Sequence, residues 1–155
     1  VRRSENPLPL LVADLGEQPA EAILREIGEP RLRGMLRLAG YIPNSDLPAI
    51  YNRASAFLYT SLRESFGIPQ LEAMACGTPV VTSATSAIPE VAGEGAILVD
   101  PTDPKAIADA LLRLETDAAF RARQVAYGLE RVKRFSWEKT ARHLLALYES
   151  LGKTN

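Results

Sequence analysis

Compact apolar runs alternate with amphipathic stretches along the first hundred residues. Residues 8–13 (LPLLVA), 35–39, 54–59, 79–82 and 95–99 are such runs, and each predicts a strand. Helical patterns fill the gaps. One covers 20–27 and ends near Gly28; a short one follows Ser45 and Asp46, with Leu47, Ile50 and Tyr51 on one face. Another covers 69–76, with Pro69 near its first position and Gly77 just past its end, and a fourth covers 88–92. The strands are apolar throughout instead of alternating. That favours a parallel sheet covered on both faces by helices. After Val99 the pattern turns helical. Asp103 and Pro104 cap a helix to about 114, Thr116 starts one to about 133, and Ser136 starts a last one. In that last helix Ala141, Leu144, Leu145 and Tyr148 form one stripe. The expected fold class is α/β: a Rossmann-like parallel sheet flanked by helices, with a helical C-terminal third.

A chain of 155 residues is a single domain, or a piece of a larger enzyme. Its formal net charge of −1 gives no electrostatic footprint for nucleic acid or an anionic membrane. An anionic ligand must therefore be held by local groups. Cys76 is the only cysteine, so no intrachain disulfide forms. No apolar stretch is long enough to span a bilayer and no signal-peptide pattern opens the chain, so a cytoplasmic protein is expected. The chain begins with Val1, Arg2 and Arg3 and no initiator methionine, which reads as a fragment.

The most function-specific stretch is E-S-F-G-I-P-Q-L-E over 64–72. Glu64 falls in the loop after the 54–59 strand, and Glu72 is placed in the first turn of the next helix. In open parallel sheets ligands bind at the carboxyl ends of strands, where this loop lies. Gly67 permits close backbone approach. The N–H groups of Phe66, Gly67, Ile68 and Gln70 are expected to lack intrahelical partners and to point at phosphate or sugar oxygens. An ionised Glu72 suits the vicinal diol of a ribose, and Glu64 could reach hydroxyls of a second sugar. A pair of glutamates by itself also fits simple partnering with a helix dipole.

Around those residues the chain resembles the retaining group 1 glycosyltransferases of family 4, whose E-x7-E motif matches Glu64 to Glu72. Further segments typical of that family's C-terminal domain are G-Y-I-P at 40–43, D-L-P-A-I-Y at 46–51 and L-E-A-M-A-C-G-T-P-V-V at 71–81. Others are I-P-E-V at 88–91, L-V-D-P at 98–101 and F-S-W-E at 135–138. The resemblance covers roughly 8–150. It implies the donor-binding half of a GT-B fold, for a nucleotide-diphosphate sugar such as a UDP-, GDP- or ADP-sugar, with a glycan or lipid acceptor and no cofactor or metal. By position, Glu72 would hold the ribose, and Glu64, the candidate catalytic residue, would contact the transferred sugar without being assigned as a nucleophile. The backbone around Ser65, Phe66, Gly67 and Ile68 would meet sugar and diphosphate, and Tyr41 and Ile42 would meet the base. The resemblance also implies an opening strand, a basic clamp and an N-terminal acceptor domain that this chain lacks; Arg2 and Arg3 belong to a helix tail and do not replace the clamp. With that first strand missing, the 8–13 and 54–59 strands either pair directly or flank another segment or chain. The isolated chain is then expected to be inactive in transfer and weak in donor binding. In the full-length enzyme it could lie peripherally at the inner membrane face.

Other residues read more plainly. His143 is a solvated surface histidine, Cys76 a small buried core residue, and Phe135 and Trp137 are packing anchors. Ser83, Thr85 and Ser86 either add hydroxyl contacts to the donor or form a turn. The last helix's stripe is a candidate self-association surface. A non-catalytic sugar-nucleotide-binding or protein-interaction module of the same fold is the alternative. A dinucleotide oxidoreductase is disfavoured, because no G-x-G-x-x-G follows the first strand.

Overall fold

The computed structural model describes residues 8–152; Arg2 and Arg3 lie outside them. The chain divides into two compact units, with the boundary between Ile50 and Tyr51. In the first unit, strand β1 (Leu10–Ala13) pairs in parallel with β2 (Leu36–Gly40). Helix α1 (Glu17–Glu26) runs between them and buries Ala20 and Leu24. A 3-10 turn at Pro30–Met35, which has no counterpart in the hydrophobic pattern, leads into β2. The apolar strand residues here are less covered than a parallel sheet predicts: Leu10 and Leu11 remain 44% and 46% exposed. Helix α2 (Leu47–Arg53) starts at Asp46, whose carbonyl accepts from the N–H groups of Ala49 and Ile50.

The second unit holds strands β3 (Phe57–Tyr59), β4 (Val80–Ser83) and β5 (Ala96–Val99) in the order β3-β4-β5, all parallel. β1 and β3 thus fall in separate sheets. β4 is the middle strand and all four of its residues are buried, as a parallel strand covered on both faces requires. Helices α3 (Ile68–Ala75) and α4 (Ile88–Ala92) follow β3 and β4. Helix α5 (Pro104–Thr116) is capped by Asp103, which accepts from the N–H groups of Lys105 and Ala106. Helix α6 (Ala118–Val132) is capped by Asp117, one residue after the Thr116 start that the sequence pattern suggested, because Asp117 presents the carboxylate to the Phe120 N–H. Helix α7 (Trp137–Gly152) begins after Ser136, whose Oγ accepts from the Lys139 N–H at 3.1 Å.

The core lies where α5 and α6 meet the sheet. Val81, Val99, Leu114 and Phe120 are buried there, with Leu58, Ile97, Ile107 and Leu111 packed around them. On α3, Met74 is buried against a contact with no spare room. A Cβ on Gly128 of α6 would meet Met74 Cγ at 3.2 Å, and one on Gly95 would meet the Gly128 Cα at 3.2 Å. Two helices can approach this closely only because glycine keeps the surface flat. Helix α7 buries none of its residues: Trp137 is 80% exposed and is no packing anchor, and Leu145 and Tyr148 of the stripe are 59% and 67% exposed. Phe135, just before it, does pack, edge-on to Phe66 at 5.7 Å between ring centroids.

Candidate functional site

The turn carrying the glutamates is built outward from β3. Gly67 takes φ 85° and ψ 54°, a left-handed conformation, and the helix starts directly after it at Ile68. A Cβ at Gly67 would lie 2.8 Å from Gln70 Nε2 and 3.5 Å from Glu64 Cγ, so backbone and both side chains share one small space. Gln70 is fully buried; its Nε2 donates to the Phe66 carbonyl at 3.3 Å, while its Oε1 has no hydrogen-bond partner among the described residues. The Gln70 N–H donates to the Gly67 carbonyl at 3.3 Å, which removes it from the set of N–H groups expected to face a ligand. Those of Gly67 and Ile68 have no hydrogen-bond partner among the described residues. The helix closes in a paired-bond C-cap: Gly77 N–H to Met74 O at 2.9 Å and Thr78 N–H to Ala73 O at 3.0 Å, with Gly77 at φ 73°.

Each carboxylate has a tyrosine partner. Tyr59, the last residue of β3, donates its O–H to Glu64 Oε2 at 2.5 Å, and the Ser65 N–H donates to Glu64 Oε1 at 3.1 Å. These contacts, with the Phe66 N–H, hold the Glu64 carboxyl below its ordinary value, the Tyr59 hydroxyl contributing most. Tyr51 donates to Glu72 Oε2 at a longer 3.4 Å. Burial first, and then the neighbouring carboxylate, pushes each phenol up to about 12. Phe57 links the two tyrosines, edge-on to Tyr51 at 5.2 Å and stacked on Tyr59 at 5.8 Å between centroids. Glu72 is the fifth residue of α3, so it sits one turn into the helix and not in its first turn. Dipole stabilisation falls off within that first turn, so Tyr51 is its more specific partner.

The loop is also stapled from β4 and the segment after it. Thr82 Oγ1 donates to the Tyr59 carbonyl at 2.9 Å, Ser83 Oγ to Ser61 O at 2.6 Å and Ser86 Oγ to Glu64 O at 2.7 Å. Ser86 also accepts from the Glu64 N–H at 3.2 Å and is, among the described residues, one of two non-glycine residues with positive φ, at 59°. The hydroxyls at 83 and 86 therefore bind the glutamate loop. Thr78 Oγ1 similarly donates to the Tyr51 carbonyl at 2.6 Å.

The second unit thus brings Glu64, Ser65, Phe66, Gly67, Ile68 and Glu72 onto one turn and helix start. Tyr41 and Ile42 follow β2 at its carboxyl end in the first unit, with Tyr41 78% exposed. The roles of Tyr51 and Tyr59 were missed from the sequence; an apolar-pattern reading counts Tyr59 as the end of a strand and Tyr51 as part of a helix's apolar face, and overlooks both hydroxyls. Cys76 is half-buried, and His143 is exposed. Among the described residues no group of three or more His, Cys, Asp or Glu could hold a metal, and no helix is long and apolar enough to cross a membrane.

Fold and turn together define a class: parallel α/β proteins that present a loop-to-helix turn beyond the carboxyl end of a strand. Similarity to known proteins narrows it. Residues 1–131 match the family model for glycosyl transferases group 1. The chain is 42% identical over 118 residues to O-antigen chain mannosyltransferase B of Escherichia coli, covering 76% of this chain and 31% of that protein. Sucrose-phosphate synthase from Thermosynechococcus elongatus superposes with a TM-score of 0.80 at 30% identity, over 94% of this chain and 39% of that one. Anabaena HepE, solved in complex with UDP-glucose, superposes with a TM-score of 0.79 over 92% of this chain and 41% of its own; at 21% identity it speaks for the fold alone. The chain belongs to the group 1 glycosyltransferases and carries the C-terminal part of their GT-B fold. It spans about a third of the length of the curated relative.

Proposed function

We propose that the chain is the donor-binding part of a retaining hexosyltransferase that moves a hexose from a nucleotide-diphosphate sugar to a glycan or lipid acceptor. The observation that carries this reading is the turn itself: two carboxylates held by tyrosines on either side of N–H groups without partners among the described residues. An ionised carboxylate accepts from sugar hydroxyls, and helix-start N–H groups donate to phosphate oxygens. In this reading Glu72 binds the ribose diol and Glu64 the hydroxyls of the transferred sugar. Gly67 and Ile68 meet the diphosphate, and Tyr41 and Ile42 meet the base. The hydrogen bonds that lower the Glu64 pKa favour an anionic acceptor beside developing positive charge over a proton donor. The mannosyltransferase relative supports a sugar donor.

Transfer itself is assigned to the longer polypeptide, at the cytoplasmic membrane face, and the 155 residues alone are expected to show no turnover. Calorimetry with UDP-glucose and GDP-mannose tests donor binding. Glu72→Ala should weaken the bound donor by about ten- to a hundredfold, the loss of one or more hydrogen bonds to a charged group. Unchanged affinity in Glu72→Ala would remove the reading. Product anomeric configuration, read by NMR on the longer polypeptide, tests retention.

A further inference from the structure

We propose that Tyr59 and Tyr51 are positioning residues, each holding one carboxylate of the turn in the orientation that its own part of the donor requires. The inference rests on the donor-binding reading above and adds a division of labour to it. A carboxylate on a glutamate side chain has three rotatable bonds and, unheld, samples several staggered rotamers. Glu64 is fixed at both oxygens, by the Tyr59 hydroxyl on Oε2 and the Ser65 N–H on Oε1. A carboxylate offers about four acceptor positions, so occupation of one on each oxygen leaves the remaining lone pairs pointing in fixed directions. Glu72 is fixed at one oxygen only, by Tyr51.

The tyrosines are themselves held. Thr82 ties down the Tyr59 carbonyl and Thr78 the Tyr51 carbonyl, and both threonines are buried. The Phe57 ring lies against both phenols, edge-on to one and stacked on the other. The two glutamates are therefore oriented by one aromatic row running from α2 to the end of β3. Because each hydroxyl serves a different carboxylate, the two phenols should act on different parts of the donor. Tyr59 should govern the transferred sugar through Glu64, and Tyr51 the nucleoside through Glu72.

Removal of one hydroxyl with retention of the ring separates this role from packing. Tyr59→Phe and Tyr51→Phe keep the aromatic row and should keep the fold, which a thermal melt verifies. Affinities for UDP, UDP-glucose, GDP and GDP-mannose would be measured by calorimetry, with competition NMR for weak complexes, on the polypeptide carrying this chain. Glu64→Ala and Glu72→Ala serve as references. Tyr59→Phe should weaken whichever nucleotide sugar binds by about three- to tenfold and leave the matching free diphosphate unchanged, the scale of one hydrogen bond. Tyr51→Phe should weaken diphosphate and nucleotide sugar by the same factor, smaller than for Tyr59 because its contact is longer. If Glu64→Ala shows the sugar-selective loss but Tyr59→Phe matches the wild type, or loses both ligands equally, the positioning role is overturned and the donor reading stands. If Glu64→Ala and Glu72→Ala show no such split, or none of the four probes binds the wild type, the donor reading falls and this inference falls with it.

Discussion

Replacement of Gly67 by alanine should disturb backbone, neighbour and site together. At φ 85° a non-glycine residue pays a left-handed penalty of about 1–2 kcal/mol. The new Cβ would also stand 2.8 Å from Gln70 Nε2, closer than atoms tolerate. Gln70 is fully buried, so its amide has no solvent to swing into. To yield, it must give up its bond to the Phe66 carbonyl, and a buried polar group left unmet costs about 1–3 kcal/mol. The restricted unfolded chain returns about 0.4–1 kcal/mol. The net destabilisation is about 1–5 kcal/mol, measurable by urea unfolding. A double-mutant cycle with Gln70→Ala isolates the steric part. Without the amide the crowding disappears while the left-handed penalty persists, so the pair should couple by about 1 kcal/mol or more. A Gly67→Ala variant within about 0.5 kcal/mol of the wild type, the range of ordinary surface changes, would refute the reasoning. A strictly additive double mutant would refute its steric half.

Three further outcomes are expected. The Glu64 carboxyl has a lowered folded pKa, so its contribution to stability is present above its unfolded value of 4.5 and lost as pH falls through the folded one; a carbon-13 titration should find its midpoint below 4.5, and Tyr59→Phe should move it up. An unmoved midpoint in that variant would detach Tyr59 from Glu64. Tyr51 and Tyr59 have raised pKa values, so the neutral phenols stabilise the fold fully below pH 10 and that contribution is lost as pH rises through about 12. Ultraviolet titration should show two phenols ionising late, and one fewer in each Phe variant. Leu114, 2% exposed in the core between α5 and the sheet, should cost about 2–5 kcal/mol when cut to alanine, read as a lowered melting temperature.

The apolar runs located the five strands among the described residues, because parallel strands carry no regular polar alternation, although only β4 is buried at every position. Caps and stops located most helices: Asp103 and Gly77 sit where their side chain and φ require. Helix starts were less legible. α1 begins at Glu17, three residues before the pattern suggested, and Asp117 replaced Thr116 as a cap. The 3-10 turn at Pro30–Met35 left no periodic trace. Of the site, the two glutamates and Gly67 were visible as a motif, while their tyrosine partners were not. A hydroxyl's bond to a carboxylate depends on a rotamer and a neighbouring strand, neither of which has a period.

The hydroxyl staples make the shape of the glutamate loop a property of a different stretch of chain. Tyr59, Ser61 and Glu64 carbonyls are each held by a residue more than twenty positions downstream. The loop has no regular structure of its own, yet a ligand arriving there meets a surface already set. The corollary is a mismatch between where a substitution falls and where it is felt. In the donor-binding reading, loss of a single oxygen at Thr82, Ser83 or Ser86 would change affinity through the loop it holds. Affinity variants recovered from a random library should therefore map to β4 and the turn beyond it as readily as to the motif.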